Sequence, residues 1–186
     1  MESLGPTAYV ILGLVRKEPR SGYEIKSVVD NTTRFFWAAS YGQIYPELKR
    51  LSEAGLVVGS DAPTGGRRRT VYEITADGEQ ELVAWLKRPP QTFEMREEGL
   101  LKLFFAGALP AAEAVEILRA MRAHRLAAHE QLRAMEPAAA AKEDPFPLLV
   151  LRGGLEFTQW FADWCERMEE QILASAPPVG AEKRSS

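Results

Sequence analysis

The stretch Ser40-Tyr41-Gly42-Gln43-Ile44-Tyr45-Pro46-Glu47-Leu48-Lys49-Arg50-Leu51-Ser52-Glu53-Ala54-Gly55-Leu56-Val57 decides the fold. Ser40 stands as an N-cap with Gln43 three residues on, so each can satisfy an orphan backbone donor of the other in a capping box. Ile44, Leu48 and Leu51 fall on one apolar helical face. Gly55, lacking a Cβ, is placed to end the helix in a left-handed turn, and a strand follows from Leu56. The remaining positions carry Tyr41, Gln43, Tyr45, Lys49 and Arg50, a mixture of donors, aromatics and cations that suits a DNA major groove. Pro46 is the irregularity: within a helix it removes a donor and crowds the carbonyl of Gly42. Either the first turn is loose or the regular helix begins near Pro46.

Outward from this stretch, Thr7–Lys17 reads as a buried first helix behind Pro6, ended by Pro19. Ser21 and Glu24 form a second capping box that opens a short helix to about Asp30, with Ile25, Val28 and Val29 inward. A connector, 31–39, carries Phe35, Phe36 and Trp37, expected to pack under the helices or against a partner. Leu56–Gly59 and Thr70–Ile74 read as two strands joined across Gly65-Gly66, a hairpin with Arg67, Arg68 and Arg69 at its edge. Thr75 then caps a helix to Arg88, with Leu82, Trp85 and Leu86 inward, closed by Pro89-Pro90. Helix, capped helix, capped helix, basic hairpin, helix is the order of a winged helix-turn-helix, with the hairpin as the wing.

Beyond Gln91 the pattern is helical throughout. Glu94–Phe105 makes one helix, and Pro110 opens a long one to about Met135, ended by Pro137, with a linker over 138–147. Ala114, Leu118, Met121, Arg125, Ala128, Leu132 and Met135 form a heptad-type seam that Arg125 interrupts. Leu148–Leu173 is a last helix with two stripes: Phe157, Trp160, Phe161, Trp164 and Met168, and Leu151, Leu155 and Ala162. Gly153-Gly154 inside it marks a kink or a close helix contact. The two long helices carry more apolar surface than they can hide between themselves. The boundaries expected are 1–90 for the winged helix-turn-helix, 91–174 for a helical domain and 175–186 for a disordered tail. The fold class is mainly α.

Composition limits the function. The 186 residues, 46% of them apolar, suffice for one large domain or two small ones. A single cysteine, Cys165, excludes an internal disulfide framework. No apolar run is long enough to span a membrane and the N-terminus lacks signal-peptide character, so a cytoplasmic protein is expected. The net charge of −3 is unevenly spread. Arg16–Arg69 holds ten Lys/Arg against six Asp/Glu, whereas the chain from Gln91 holds eleven against fifteen. The basic excess accompanies the decisive stretch. Enzyme chemistry lacks an inventory: His124 and His129 share no helix face, no Cys/His cluster supports zinc, and no glycine-rich phosphate loop follows a strand. No cofactor and no metal are expected.

These pieces resemble the PadR family of transcriptional regulators. The matching residues are Thr7–Leu14, Ser21-Gly22-Tyr23-Glu24-Ile25, Tyr41–Leu51, Ala54-Gly55-Leu56-Val57 and Arg67–Gly78. The second half is similar, more loosely, to the longer-tailed subgroup with a helical dimerisation domain. The resemblance implies a homodimeric winged helix on a palindromic operator, usually a repressor, and accounts for Pro46. The expected DNA-binding residues are then Tyr41, Gly42, Gln43, Tyr45, Lys49 and Arg50 on the third helix, Arg67, Arg68 and Arg69 on the wing, and Ser21 and Tyr23 at the second helix N-terminus. Gln43 can read an adenine or serve only its capping box, and Tyr45 can be a half-buried core residue. Lys49 and Arg50 can contact phosphates or form an ordinary solvated face beside Glu47 and Glu53.

Leu118, Met121, Leu132, Phe157, Trp160, Phe161, Trp164 and Met168 are the expected dimer interface. The other reading of Trp160 and Trp164, which the resemblance suggests for some members of the family, is as walls of a pocket for a small planar effector. The alternative function is a winged-helix protein-interaction or ligand-sequestering module without DNA binding.

Overall fold

The computed structural model describes residues 4–37, 39–64, 67–90 and 96–175, apart from the side chains at 34, 62–64, 67 and 68. The chain divides into two compact units, Met1–Thr92 and Phe93–Ser186. Of the expected tail, 175–186, Ser175 still belongs to the last helix and 176–186 lie outside the described residues.

In the first unit, α1 (Pro6–Lys17) starts with proline at its first position, where no backbone donor is lost, and buries Ala8, Tyr9, Ile11, Leu12 and Val15. A two-residue strand, β1 (Arg20–Ser21), leads into α2 (Gly22–Asn31). A 3-10 turn (Thr33–Phe35) leads to α3 (Tyr41–Glu53). The hairpin strands β2 (Val57–Thr64) and β3 (Arg67–Ile74) pair antiparallel in register from Val57 against Ile74 to Thr64 against Arg67. Both run further than the apolar residues indicate, because backbone pairing carries the polar and basic tip along. β1 adds to the far edge of β3, giving the order β1-β3-β2. That third strand is too short to leave a signal in sequence. α4 (Ala76–Leu86) follows, with Thr75 Oγ1 accepting from Gly78 N–H at 3.1 Å.

The core joins Ile11 and Leu12 of α1, Ile25 and Val29 of α2, Ile44, Leu48 and Leu51 of α3, and Leu82 of α4. Trp85 stacks on Tyr9 with ring centroids 4.4 Å apart. Leu86, expected inward, is 65% exposed, because α4 ends there. The connector aromatics are also partly or largely exposed rather than packed beneath the helices, Phe36 most of all.

In the second unit, α5 (Glu98–Phe104) and a 3-10 turn (Ala106–Ala108) precede two long helices, α6 (Ala111–Ala140) and α7 (Phe146–Ser175). Residues 91–95, which include the expected start of α5, lie outside the described residues. α6 does not end at Pro137 but runs through it. Proline removes only the bond to the exposed Arg133 turn, and the alanines that follow are the strongest helix formers. α7 starts earlier than the apolar pattern indicates: Pro147 tolerates its first turn and Asp144 Oδ1 accepts from Phe146 N–H at 3.2 Å.

α6 and α7 form an antiparallel hairpin whose register polar pairs report. Arg119 meets Glu169 at 2.7 Å, Arg122 meets Glu166 at 3.1 Å and Arg152 meets Glu136 at 3.0 Å. His129 Nδ1 lies 3.2 Å from the Leu155 carbonyl and 3.1 Å from Thr158 Oγ1. Gly154 sits where a Cβ would come within 3.2 Å of Leu132 Cδ1, so the glycine marks a close approach of the helices. Arg125, the odd residue of the seam, has its guanidinium over the Phe161 ring at 4.6 Å and ion-paired to Glu97. It belongs to the packing rather than interrupting it.

Candidate nucleic-acid interface

α3 is fixed at both ends by local hydrogen bonds. Gln43 Oε1 accepts from Ser40 N–H at 2.9 Å and from the Ser40 hydroxyl at 3.2 Å, completing the expected capping box. At the other end Gly55 has φ +71°; its N–H donates to Ser52 O at 3.0 Å, and Leu56 N–H donates to Leu51 O at 2.9 Å. This is a Schellman closure, which only a residue tolerant of the left-handed region makes without strain. The helix starts at Tyr41 and runs through Pro46. Gly42 and Pro46 lie one turn apart on the exposed side, so the Gly42 carbonyl that loses its partner faces water.

With Ile44, Leu48 and Leu51 buried, the middle of the opposite side is Gly42, Pro46, Lys49 and Glu53. Its first half carries no long side chain, so the backbone there can come close to a neighbouring surface. Tyr41 and Tyr45 flank one side, stacked with centroids 6.1 Å apart. Both are about half exposed. Tyr45 is also packed on α2: a Cβ on Gly22 would stand 2.7 Å from its Cε1 and 2.9 Å from its Cζ. Tyr45 is therefore both a core-edge and a surface residue. Gln43 and Arg50 flank the other side.

The cations of this surface carry their own partners. Arg50 bonds Glu47 at 2.8 Å, and Lys49 lies 3.7 Å from Glu53. Both arrangements are partly exposed i,i+3 or i,i+4 pairs worth a few tenths of a kcal/mol, about 0.3–0.5, so a phosphate can displace either carboxylate. Lys26, which the sequence pattern does not single out, sits 5.4 Å from the Tyr41 ring centroid and is ion-paired to Asp30. It follows the 66%-exposed Tyr23 by three residues, so a stripe along α2 was the available signal.

Two expected contact residues are engaged elsewhere. Ser21 is buried; its N–H and hydroxyl donate to Glu24 Oε2 at 2.9 and 3.0 Å. It is a cap, not a surface group. Arg69, half-buried, is ion-paired to the same Glu24. Arg69 holds the Glu24 carboxyl down at about 2, helped by the Ser21 bonds. Arg67 and Arg68 have their backbone in β3, and their side chains lie outside the described residues.

The residues expected at a dimer interface separate into two groups. Leu118, Met121 and Phe161 are buried within the chain in one cluster with Leu100 and Leu103 of α5, and Leu132 is buried against α7 at Gly154. They have almost no surface left for a partner, so the expectation is corrected for these four. The heptad seam is matched by α7 of the same chain, and periodicity alone cannot tell which helix fills it. Phe157 and Trp160 remain exposed at 39% and 54%, and Trp164 and Met168 are intermediate. Further apolar surface lies on the same unit at Leu101, Phe104, Phe105, Phe146, Leu149 and Val150. Among the described residues no cluster of three or more His, Cys, Asp or Glu could hold a metal ion, and no helix is long and apolar enough to cross a membrane.

Four helices, an antiparallel hairpin between the third and fourth, and an exposed, cation-bearing third helix define a winged helix-turn-helix protein. The family described as "Transcriptional regulator PadR-like family" matches residues 11–84, and "Virulence activator alpha C-term" matches residues 95–172. The chain is 34% identical over 174 residues to the Negative transcriptional regulator PadR of Bacillus subtilis (strain 168), covering 88% of this chain and 96% of that one. The crystal structure of Bacillus subtilis PadR in complex with operator DNA superposes with a TM-score of 0.84 at 31% identity, covering 92% of this chain and 99% of that one. Its complex with p-coumaric acid gives 0.73 at 30% identity, covering 91% and 98%. The chain belongs to the PadR-like family: it is a transcriptional regulator and not an enzyme.

Proposed function

We propose that this regulator is a homodimeric repressor that binds a palindromic operator through α3 and the wing. The observation that carries the reading is the likeness, over nearly the whole chain, to a structure of Bacillus subtilis PadR with operator DNA, in a protein whose own α3 presents a cation-bearing outer face. α3 lies in the major groove, its small-residue start at Gly42 and Pro46 bringing the backbone near base edges. Tyr41 and Tyr45 contact sugar and phosphate, and Lys49 and Arg50 exchange their carboxylates for phosphates. Gln43 spends its carbonyl oxygen on the cap, which leaves its amide donors for a base acceptor. Arg67 and Arg68 supply the charge of the wing.

The domain limits that fit this reading are 1–90 for DNA binding and 91–174 for dimerisation. Dimerisation covers the exposed apolar residues of the second unit, whose number exceeds what isolated surface residues account for. A second copy is the partner of choice because a twofold dimer matches a palindromic site. The likeness to a p-coumaric acid complex supports release by a small aromatic effector, with Trp160 and Trp164 as candidate walls.

The test is a mobility shift with DNA from upstream of the protein's own gene, at low and moderate salt. A specific shift with a log–log salt slope of about −0.9 per phosphate neutralised is expected. A folded dimer that gives no shift at any salt overturns the DNA-binding reading and favours an interaction module.

A further inference from the structure

Glu24 joins three parts of the first unit. As the third residue of α2 it completes the cap on Ser21. One carboxylate oxygen takes both Ser21 donors, at 2.9 and 3.0 Å, and the same oxygen pairs with the Arg69 guanidinium of β3. The sheet makes that reach possible. Ser21 of β1 is paired with Val71, and Arg69 is two residues back on β3, on the same face of the strand. Arg69 and Glu24 are each about 40% exposed, so the pair sits at the surface and not in the core. The charge of Arg69 is thus already answered inside the protein.

An arginine on a wing that faces DNA adds affinity for every sequence alike, because a phosphate contact carries no base information. We propose that Glu24 is a specificity-determining residue: as a built-in counter-ion it keeps Arg69 from adding a phosphate contact on non-specific DNA. The inference rests on the DNA-binding reading above. The pair differs from the looser Lys49–Glu53 contact on α3. Lys49–Glu53 spans 3.7 Å between exposed side chains, whereas the Glu24 carboxylate is held by three donors and stays with Arg69.

The test measures the salt slope for a duplex of scrambled sequence with the full-length wild type, Glu24→Gln, Arg69→Gln and the double variant. Glutamine retains the capping position, and circular dichroism reads the fold of each variant. Glu24→Gln is expected to raise affinity for scrambled DNA and steepen the slope by about 0.9 for each subunit, about 1.8 for the dimer, one further phosphate per wing. Arg69→Gln is expected to leave affinity and slope unchanged, and the double variant to return to wild type. Flattening of the slope by Arg69→Gln, or an unaltered slope in folded Glu24→Gln, overturns the inference and leaves the DNA-binding reading standing. Wild-type protein that binds neither operator nor scrambled DNA at the lowest salt overturns both.

Discussion

Gly22→Ala puts the contact between α2 and α3 under a graded load. The added Cβ would lie 2.7 Å from Tyr45 Cε1, 2.9 Å from Cζ and 3.2 Å from Leu48 Cδ1. Overpacking costs about 1–3 kcal/mol. The two tightest contacts are with the far end of a half-exposed ring, which can swing outward, so the low end applies. Alanine also favours a helix over glycine by up to about 1 kcal/mol, less at a first helical position. The net loss of stability is therefore about 1 kcal/mol or less, a melting shift of no more than roughly 4–8 °C for a unit of this size.

The displaced ring is a different matter. Tyr45 leaves its stack with Tyr41 and the flank of α3 that is proposed to meet DNA. Operator affinity is expected to fall by about tenfold or more, beyond what the small stability change explains. Thermal melting and mobility shift on the same preparations separate the two effects. Tyr45→Val in the Gly22→Ala background removes the clash and should recover the melting loss without recovering binding. Unchanged operator binding by Gly22→Ala would refute the role given to the Tyr45 ring. A melting loss of tens of degrees would refute the claim that the ring can move aside.

Four further outcomes follow from the packing and the charges. Gly78→Ala directs its Cβ to 2.0 Å from the Leu56 backbone oxygen, which cannot rotate away, so a loss of about 3 kcal/mol or more is expected in denaturant titration. Trp160→Glu, on an exposed site of α7, should halve the mass seen by light scattering while helicity is retained. Leu118→Ala, fully buried, should instead cost about 2–5 kcal/mol of stability. Glu24 has a folded pKa of about 2, below its usual 4.5. A depressed carboxyl contributes stability that is fully present above pH 4.5 and lost as pH falls from there towards 2. Acid titration of the fold should show that loss in the wild type and lack it in Glu24→Gln.

Features whose partners lie three to five residues apart were legible in the chain alone. The capping boxes of Ser21 with Glu24 and Ser40 with Gln43, the left-handed Gly55 and the Thr75 cap are closed by near neighbours, so residue types at fixed offsets were enough. The apolar face of α3 was legible for the same reason, and with the hairpin it fixed the winged helix. Features that join residues far apart in the chain emerged with the packed fold. β1 exists because Arg20 and Ser21 meet Tyr72 and Val71, not because two residues prefer a strand. Arg69 looked like its neighbours until the fold brought Glu24 to it. The seam on α6 reads identically whether its partner is α7 or a second chain, since periodicity encodes a buried stripe and not the identity of what buries it. Gly22 and Gly154 likewise acquire a role only when Tyr45 and Leu132 arrive over them. Local hydrogen bonds are written in spacing, whereas the pairing of distant surfaces is settled by the free energy of the whole packed unit.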